Sequence, residues 1–78
     1  MNISIEYCTQ WNYKPRALSL REELQNKLGI TWFELIESSG GVFEVKLNDQ
    51  LIFSKKQLGR FPDEGEIVQF IEDLQSVM

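Results

Sequence analysis

Two hydrophobic periods, and the order in which they occur, restrict the fold of this chain more than any other feature. Ile3, Ile5 and Tyr7 alternate with Asn2, Ser4 and Glu6, the period-two pattern of a strand buried on one face. The period then changes. Pro15 suits the first turn of a helix, where its missing N–H is no loss. Behind it Ala17, Leu20, Leu24 and Leu28 form a stripe at helical spacing, and Gly29 is a C-terminal stop. Ile30 to Glu37 is rich in β-formers and reads as a second strand. A strand, a helix and a strand in close succession predict parallel strands joined by a right-handed crossover.

The second half adds strands before a last helix. Ser38-Ser39-Gly40-Gly41 ends strand two, and Val42 to Leu47 and Gln50 to Ser54 then flank Asn48-Asp49. That dipeptide tolerates the positive φ angles of a tight hairpin turn. Lys55 to Pro62 reads as a loop. Asp63 with Glu66 three residues later resembles a capping box, and the stripe of the helix behind it is Ile67, Phe70, Ile71, Leu74 and Met78. The expected fold is α/β, a β-α-β-β-β-α chain with a four-stranded mixed sheet and both helices on one face. The polar partners Asn2, Ser4 and Glu6 agree with an open opposite face. With strands one, two and four pointing the same way, Cys8 to Asn12, Ser38 to Gly41 and Lys55 to Pro62 share one edge. Ligands of open α/β sheets bind at such an edge.

Composition removes several classes of chemistry. At 78 residues the chain is expected to be one domain, residues 1–78, burying about 60% of its unfolded surface. One cysteine and no histidine exclude an internal disulfide, a structural zinc site, and Ser-His or Cys-His catalysis. The first residues show no signal-peptide pattern, and no apolar run approaches membrane-spanning length. A net charge of −4 argues against nucleic acid. A cytoplasmic, reducing setting is expected, with no membrane partner, no metal, and a monomer or weak dimer.

Chemistry then concentrates at Cys8. A lone cysteine is commonly a small buried apolar residue. This one stands between a strand and a proline-marked helix start, where the helix N-terminus stabilises a thiolate and lowers the pKa below the free value of about 8.5.

The stretches Ile5-Glu6-Tyr7-Cys8, Asn12 to Ala17, Gly40 to Val45, Leu51 to Lys55 and Gly59 to Ile67 resemble the selenoprotein W-like (Rdx) family of small thioredoxin-fold proteins. The resemblance spans nearly the whole chain in order. It implies a thioredoxin-like β-α-β-β-β-α fold and a redox motif, Cys-x-x-Cys or Cys-x-x-selenocysteine, between strand one and helix one. It also implies a glutathione- or thioredoxin-linked antioxidant role. The first motif position falls on Cys8 and the second on Trp11, where an indole cannot resolve a mixed disulfide.

Three readings of Trp11 stand open. Cys8 works as a monothiol oxidoreductase whose mixed disulfide is released by an external thiol. Alternatively, Trp11 has ended the redox activity and offers a contact surface, making the chain a protein-binding module that uses Trp11 and the site-edge loops. Or the codon at position 11, one base from those of cysteine and from the stop codon that selenocysteine reuses, has been recoded or edited. No resident cofactor is expected; glutathione would be a co-substrate, and glutathione or protein thiols the partners.

Five cations, Lys14, Arg16, Lys55, Lys56 and Arg60, fall in segments assigned to the Cys8 edge. Lys14 and Arg16 sit at a helix start, where a cation is unfavourable by roughly 0.3–1 kcal/mol. The functional reading is attraction of an anionic partner or support of the thiolate; the plain one is solvated surface, with Arg60 bonding loop carbonyls. Gly40-Gly41 is a turn crossing the end of strand one, or a point of close backbone approach to a ligand. Cys8 and Trp11 are thus the expected reactive pair, with Lys14, Arg16, Gly40, Gly41 and Arg60 as partner-binding candidates. Trp32 and Phe33 face opposite sides of one strand, one in the core and one on the open face.

Overall fold

A computed structural model describes residues 1–76. The order is β1 (Asn2–Cys8), α1 (Lys14–Leu28), β2 (Trp32–Ser38), β3 (Phe43–Leu47), β4 (Gln50–Ser54), α2 (Lys55–Leu58) and α3 (Glu66–Ser76). The strands form one sheet in the order β2-β1-β3-β4. β1 and β2 run parallel, and β3 is antiparallel to both β1 and β4, so β1, β2 and β4 share a direction. Their C-terminal ends meet at one edge, as the sequence predicts.

Alternation along β1 decides the two faces. Ile3, Ile5 and Tyr7 are buried in the same cluster as Ala17, Leu20 and Leu24 of α1, Phe43 and Val45 of β3, and Ile67, Val68 and Ile71 of α3. Both long helices therefore cover one face. On β2, Phe33 and Leu35 pack partly against that core, while Trp32 and Ile36 are exposed on the open side. Glycine punctuation acts as expected at Gly29, whose φ of 67° closes α1. Asn48 and Asp49, at φ of 49° and 71°, turn β3 into β4. Asn48 also holds the start of β1: its N–H donates to the Asn2 carbonyl and its Oδ1 accepts from the Asn2 N–H.

β4 carries one residue more than its partner. Lys46 pairs with Leu51 but Val45 pairs with Phe53, which leaves Ile52 as a bulge. Three consecutive residues, Ile52, Phe53 and Ser54, are buried as a result.

Three details correct the sequence expectation. Lys55 to Pro62 is not wholly a loop, because its first four residues form α2. Ser54 caps that turn by accepting from the Gln57 N–H. In α3, Val68 is buried in place of Phe70 and Phe70 is exposed, because the helix packs with its buried stripe turned toward Val68. Leu74 packs partly, and Met78 lies outside the described residues. The capping box is half made. Glu66 accepts from the Asp63 N–H, but α3 starts after Gly65 and the Asp63 side chain faces Arg60 instead. Among the described residues, no helix is long and apolar enough to cross a membrane.

Candidate functional site at the end of strand one

Cys8 is the last residue of β1, and the turn Thr9–Asn12 carries the chain into α1. The corner is tied on three sides by backbone bonds. The Cys8 N–H donates to the Val42 carbonyl at 3.0 Å, the Thr9 N–H to Ser38 at 3.0 Å, and the Tyr13 N–H to Cys8 at 3.1 Å. Asn12 adopts a positive φ of 59°, which reverses the chain so that α1 can start. Tyr13 stands at the helix start without a side-chain cap, and the first turn holds no acidic residue.

The thiol is fully enclosed, with no exposed surface. Burial pushes its pKa up, yet the net direction is down. Backbone N–H groups of Gly41, Trp11 and Gln10 bond the sulfur, and the positive charge of Lys55 adds to them. Hydrogen bonds to the charged form lower an acid's pKa, and here they outweigh desolvation. Gly40 and Gly41, at φ of 77° and 72°, form the turn that brings the Gly41 amide to the sulfur. Glycine takes two such angles in succession at no steric cost.

Trp11 is 61% exposed, and its ring lies against Gly41. A Cβ on Gly41 would approach the indole Cε3 at 2.8 Å and Cζ3 more closely still. From Trp11 a chain of edge-to-face aromatic contacts runs inward. Trp11 meets Tyr13 at 6.1 Å between centroids, Tyr13 meets Phe61 at 4.6 Å, and Phe61 meets buried Phe43 at 5.3 Å. Lys55 Nζ sits 5.5 Å from both the Tyr13 and Phe61 rings.

The other cations divide differently from the sequence expectation. Arg60 is committed elsewhere: its guanidinium donates to both Glu66 carboxylate oxygens, at 2.8 and 3.0 Å, and to the Phe61 carbonyl. Arg16 lies 4.1 Å above the Phe61 ring, and Lys14 is exposed. Thus the structure gathers Cys8, Trp11 and Gly41 into one arrangement. Lys55 joins them in place of Arg60, and Gly40 serves the turn. Lys55 is one of the five cations that the sequence assigns to the Cys8 edge, whereas the Gln10 amide and the Tyr13–Phe61 pair carry no such signal. One signal was available for Lys55, since it follows β4 directly and so falls at the Cys8 edge. A cleft of about 640 Å³ lies between α1 and residues 62–64 and does not include Cys8. Among the described residues, no three metal-ligating side chains converge.

The model of the Rdx family matches residues 2–73. The crystal structure of a selenoprotein W-related protein from Vibrio cholerae superposes with a TM-score of 0.87 and 35% identity, covering 94% of each chain. A crystal structure from Bordetella parapertussis gives a TM-score of 0.87 and 30% identity, over 92% of this chain and 94% of that one. Migration and invasion enhancer 1 from Bos taurus and from Mus musculus are each 30% identical over 71 residues. The match takes in 91% of this chain but 62% of those relatives, so the chain spans less than two thirds of their length.

Proposed function

This chain belongs to the Rdx family, and from that premise we propose that it is a cytoplasmic thiol redox protein of the glutathione- or thioredoxin-linked kind, acting through the single thiol of Cys8. The observation that carries the reading is the corner itself: Cys8 ends β1 with its N–H on the Val42 carbonyl, the turn after it leads into α1, and the amides of Gly41, Trp11 and Gln10 lower the pKa of the thiol against its burial. An inert buried cysteine has no need of such donors, and its burial alone would raise its pKa. The donors stabilise negative charge on sulfur, the form that attacks a disulfide.

The step requires no second cysteine. Cys8 thiolate attacks one sulfur of an oxidised partner such as glutathione disulfide. The new S–S bond forms as the old one breaks, and the released thiolate takes a proton from solvent. With Trp11 in the second motif position, an external thiol must then attack the mixed disulfide, regenerate Cys8 and leave as the oxidised product. The cycle moves two electrons between external partners and leaves the protein unchanged. Lys55 is suited to meet an anionic partner and Arg60 is not, because Arg60 is held by Glu66.

A docking role is the second reading. It is favoured by one contrast: Cys8 is enclosed while Trp11 is 61% exposed beside it. Alkylation kinetics separate the two. Under the redox reading, the rate of Cys8 modification titrates with a midpoint clearly below the ordinary thiol value. Oxidised glutathione then adds once per chain, and dithiothreitol reverses the adduct. An ordinary midpoint with no adduct would leave the docking role standing.

A further inference from the structure

The sulfur that carries the proposed chemistry has no exposed surface, and a reagent reaches it only through a local opening. The position of Cys8 narrows what has to open. By alternation after core-facing Tyr7, Cys8 falls on the side of the sheet opposite the helices, yet it is fully buried. Elsewhere on that face Trp32, Ile36 and Leu51 are exposed. The backbone bonds of Cys8 and Thr9 to Val42 and Ser38 set two turns beside it, Thr9–Asn12 and the one through Gly40 and Gly41. In those two turns the only large side chain is Trp11, and its ring rests on Gly41, the neighbour of Val42, whose carbonyl accepts from the Cys8 N–H.

We infer that the Trp11 side chain is the access-determining group for Cys8: seated on Gly41 it closes the turn over the sulfur, and reagents enter while the indole is lifted away. The inference rests on Cys8 being the reacting thiol. It gives Trp11 a role that a residue in the second motif position would otherwise lack. The indole does not resolve the mixed disulfide; it controls which partners form one. Small disulfides enter through brief openings, whereas a protein disulfide must displace the ring. The Gly40-Gly41 turn provides the seat, because a side chain on Gly41 would occupy the space of the indole.

The screen can be tested apart from the charge effect, because Trp11 lowers the Cys8 pKa through its backbone amide, which survives replacement of the side chain. The pH profile of Cys8 alkylation by iodoacetamide is measured for wild type, Trp11→Phe and Trp11→Ala. The high-pH plateau should rise on the order of tenfold in Trp11→Ala, as expected when a minor open state becomes dominant. Trp11→Phe should fall between, and the midpoint should stay in place. Equal plateaus for wild type and Trp11→Ala would overturn the inference, as would a moved midpoint on an unchanged plateau. If circular dichroism shows Trp11→Ala unfolded, Trp11→Phe decides together with fluorescence. In a Trp32→Phe background Trp11 is the sole indole, and its emission should shift when glutathione disulfide modifies Cys8; an unshifted spectrum counts against the screen. Midpoints at the ordinary thiol value in every variant would instead sink the stabilised thiolate, while the order of the plateaus still decides access.

Discussion

Two loop-to-helix corners in this molecule use similar backbone devices for opposite ends. The start of α1 follows Asn12 at φ of 59°, and the start of α3 follows Gly65 at φ of 80°. At α3, side chains take up the free groups. Glu66 accepts from the Asp63 N–H, Arg60 pairs with Glu66, and Glu23 of α1 accepts from the Gly65 N–H. At α1 there is no side-chain cap and no acidic residue, and two amides of the preceding turn, those of Gln10 and Trp11, lower the pKa of the Cys8 thiol. A helix start closed by carboxylates holds structure in place. One left free of them can host a thiolate, because negative charge is favoured at a helix N-terminus and is not already present there.

The contrast breaks most visibly at Gly41. Gly41→Ala should cost about 1–3 kcal/mol, since alanine is strained at a φ of 72°, and its Cβ would also strike the indole. Gly40→Ala is the control: it meets similar backbone strain at 77° with nothing within 4 Å of its Cβ. Urea unfolding should rank Gly41→Ala as the more destabilised. Equal losses would mean that the Trp11 contact contributes nothing.

A smaller effect sharpens the α3 side. Glu66→Ala removes the capping contact and should lower stability by about 1 kcal/mol, while the midpoint of Cys8 alkylation stays where it was. The pH dependence has a definite sign. The Arg60 hydrogen bond, then the Asp63 amide, hold the Glu66 carboxyl below its ordinary range against a burial effect in the other direction. Its contribution is therefore complete above the unfolded value of about 4.3 and fades as pH falls through the lower folded value. The stability difference between wild type and Glu66→Ala should shrink on acidification below that point. A difference that grows there would contradict the pairing.

The smallest effect probes the cation at the α1 corner. Lys55→Gln removes one positive charge and leaves the three amides, so the Cys8 midpoint should rise part of the way toward the ordinary value. Stability should change by under about 0.5 kcal/mol, as for most surface substitutions. Raising salt should move the wild-type midpoint in the same direction by screening the charge. A midpoint unmoved by either change would leave the amides as the whole cause.

These corners were not equally legible in the sequence. Period and punctuation announce the elements themselves: alternation at Ile3 to Tyr7, the Ala17–Leu28 stripe, Gly29 and Asn48-Asp49 all act locally. α2 escaped because four residues, Lys-Lys-Gln-Leu, are too few to show a helical period, and its one signal is the Ser54 cap. The exchange of Phe70 for Val68 follows from where α3 leans, which depends on tertiary packing. At the site, the corner and the Gly41 approach could be read from Cys8, Pro15 and the paired glycines. That Arg60 would be claimed by Glu66, leaving Lys55 as the cation near the thiol, depends on distances between side chains that topology alone does not set.

The bulge at Ile52 has a consequence beyond the strand that contains it. Side chains along a strand alternate, so one unmatched residue inverts the phase of everything after it. Without it, Phe53 and Ser54 would exchange sides, and the segment leaving β4 would start half a period out of step. With it, Phe53 lines the core and Ser54 meets Glu44 and caps the next turn. Lys55 then emerges against the Tyr13 and Phe61 rings. The bulge thus works as a timing element, and through it an irregularity in an edge strand sets which way a positive charge faces at the far side of the sheet end.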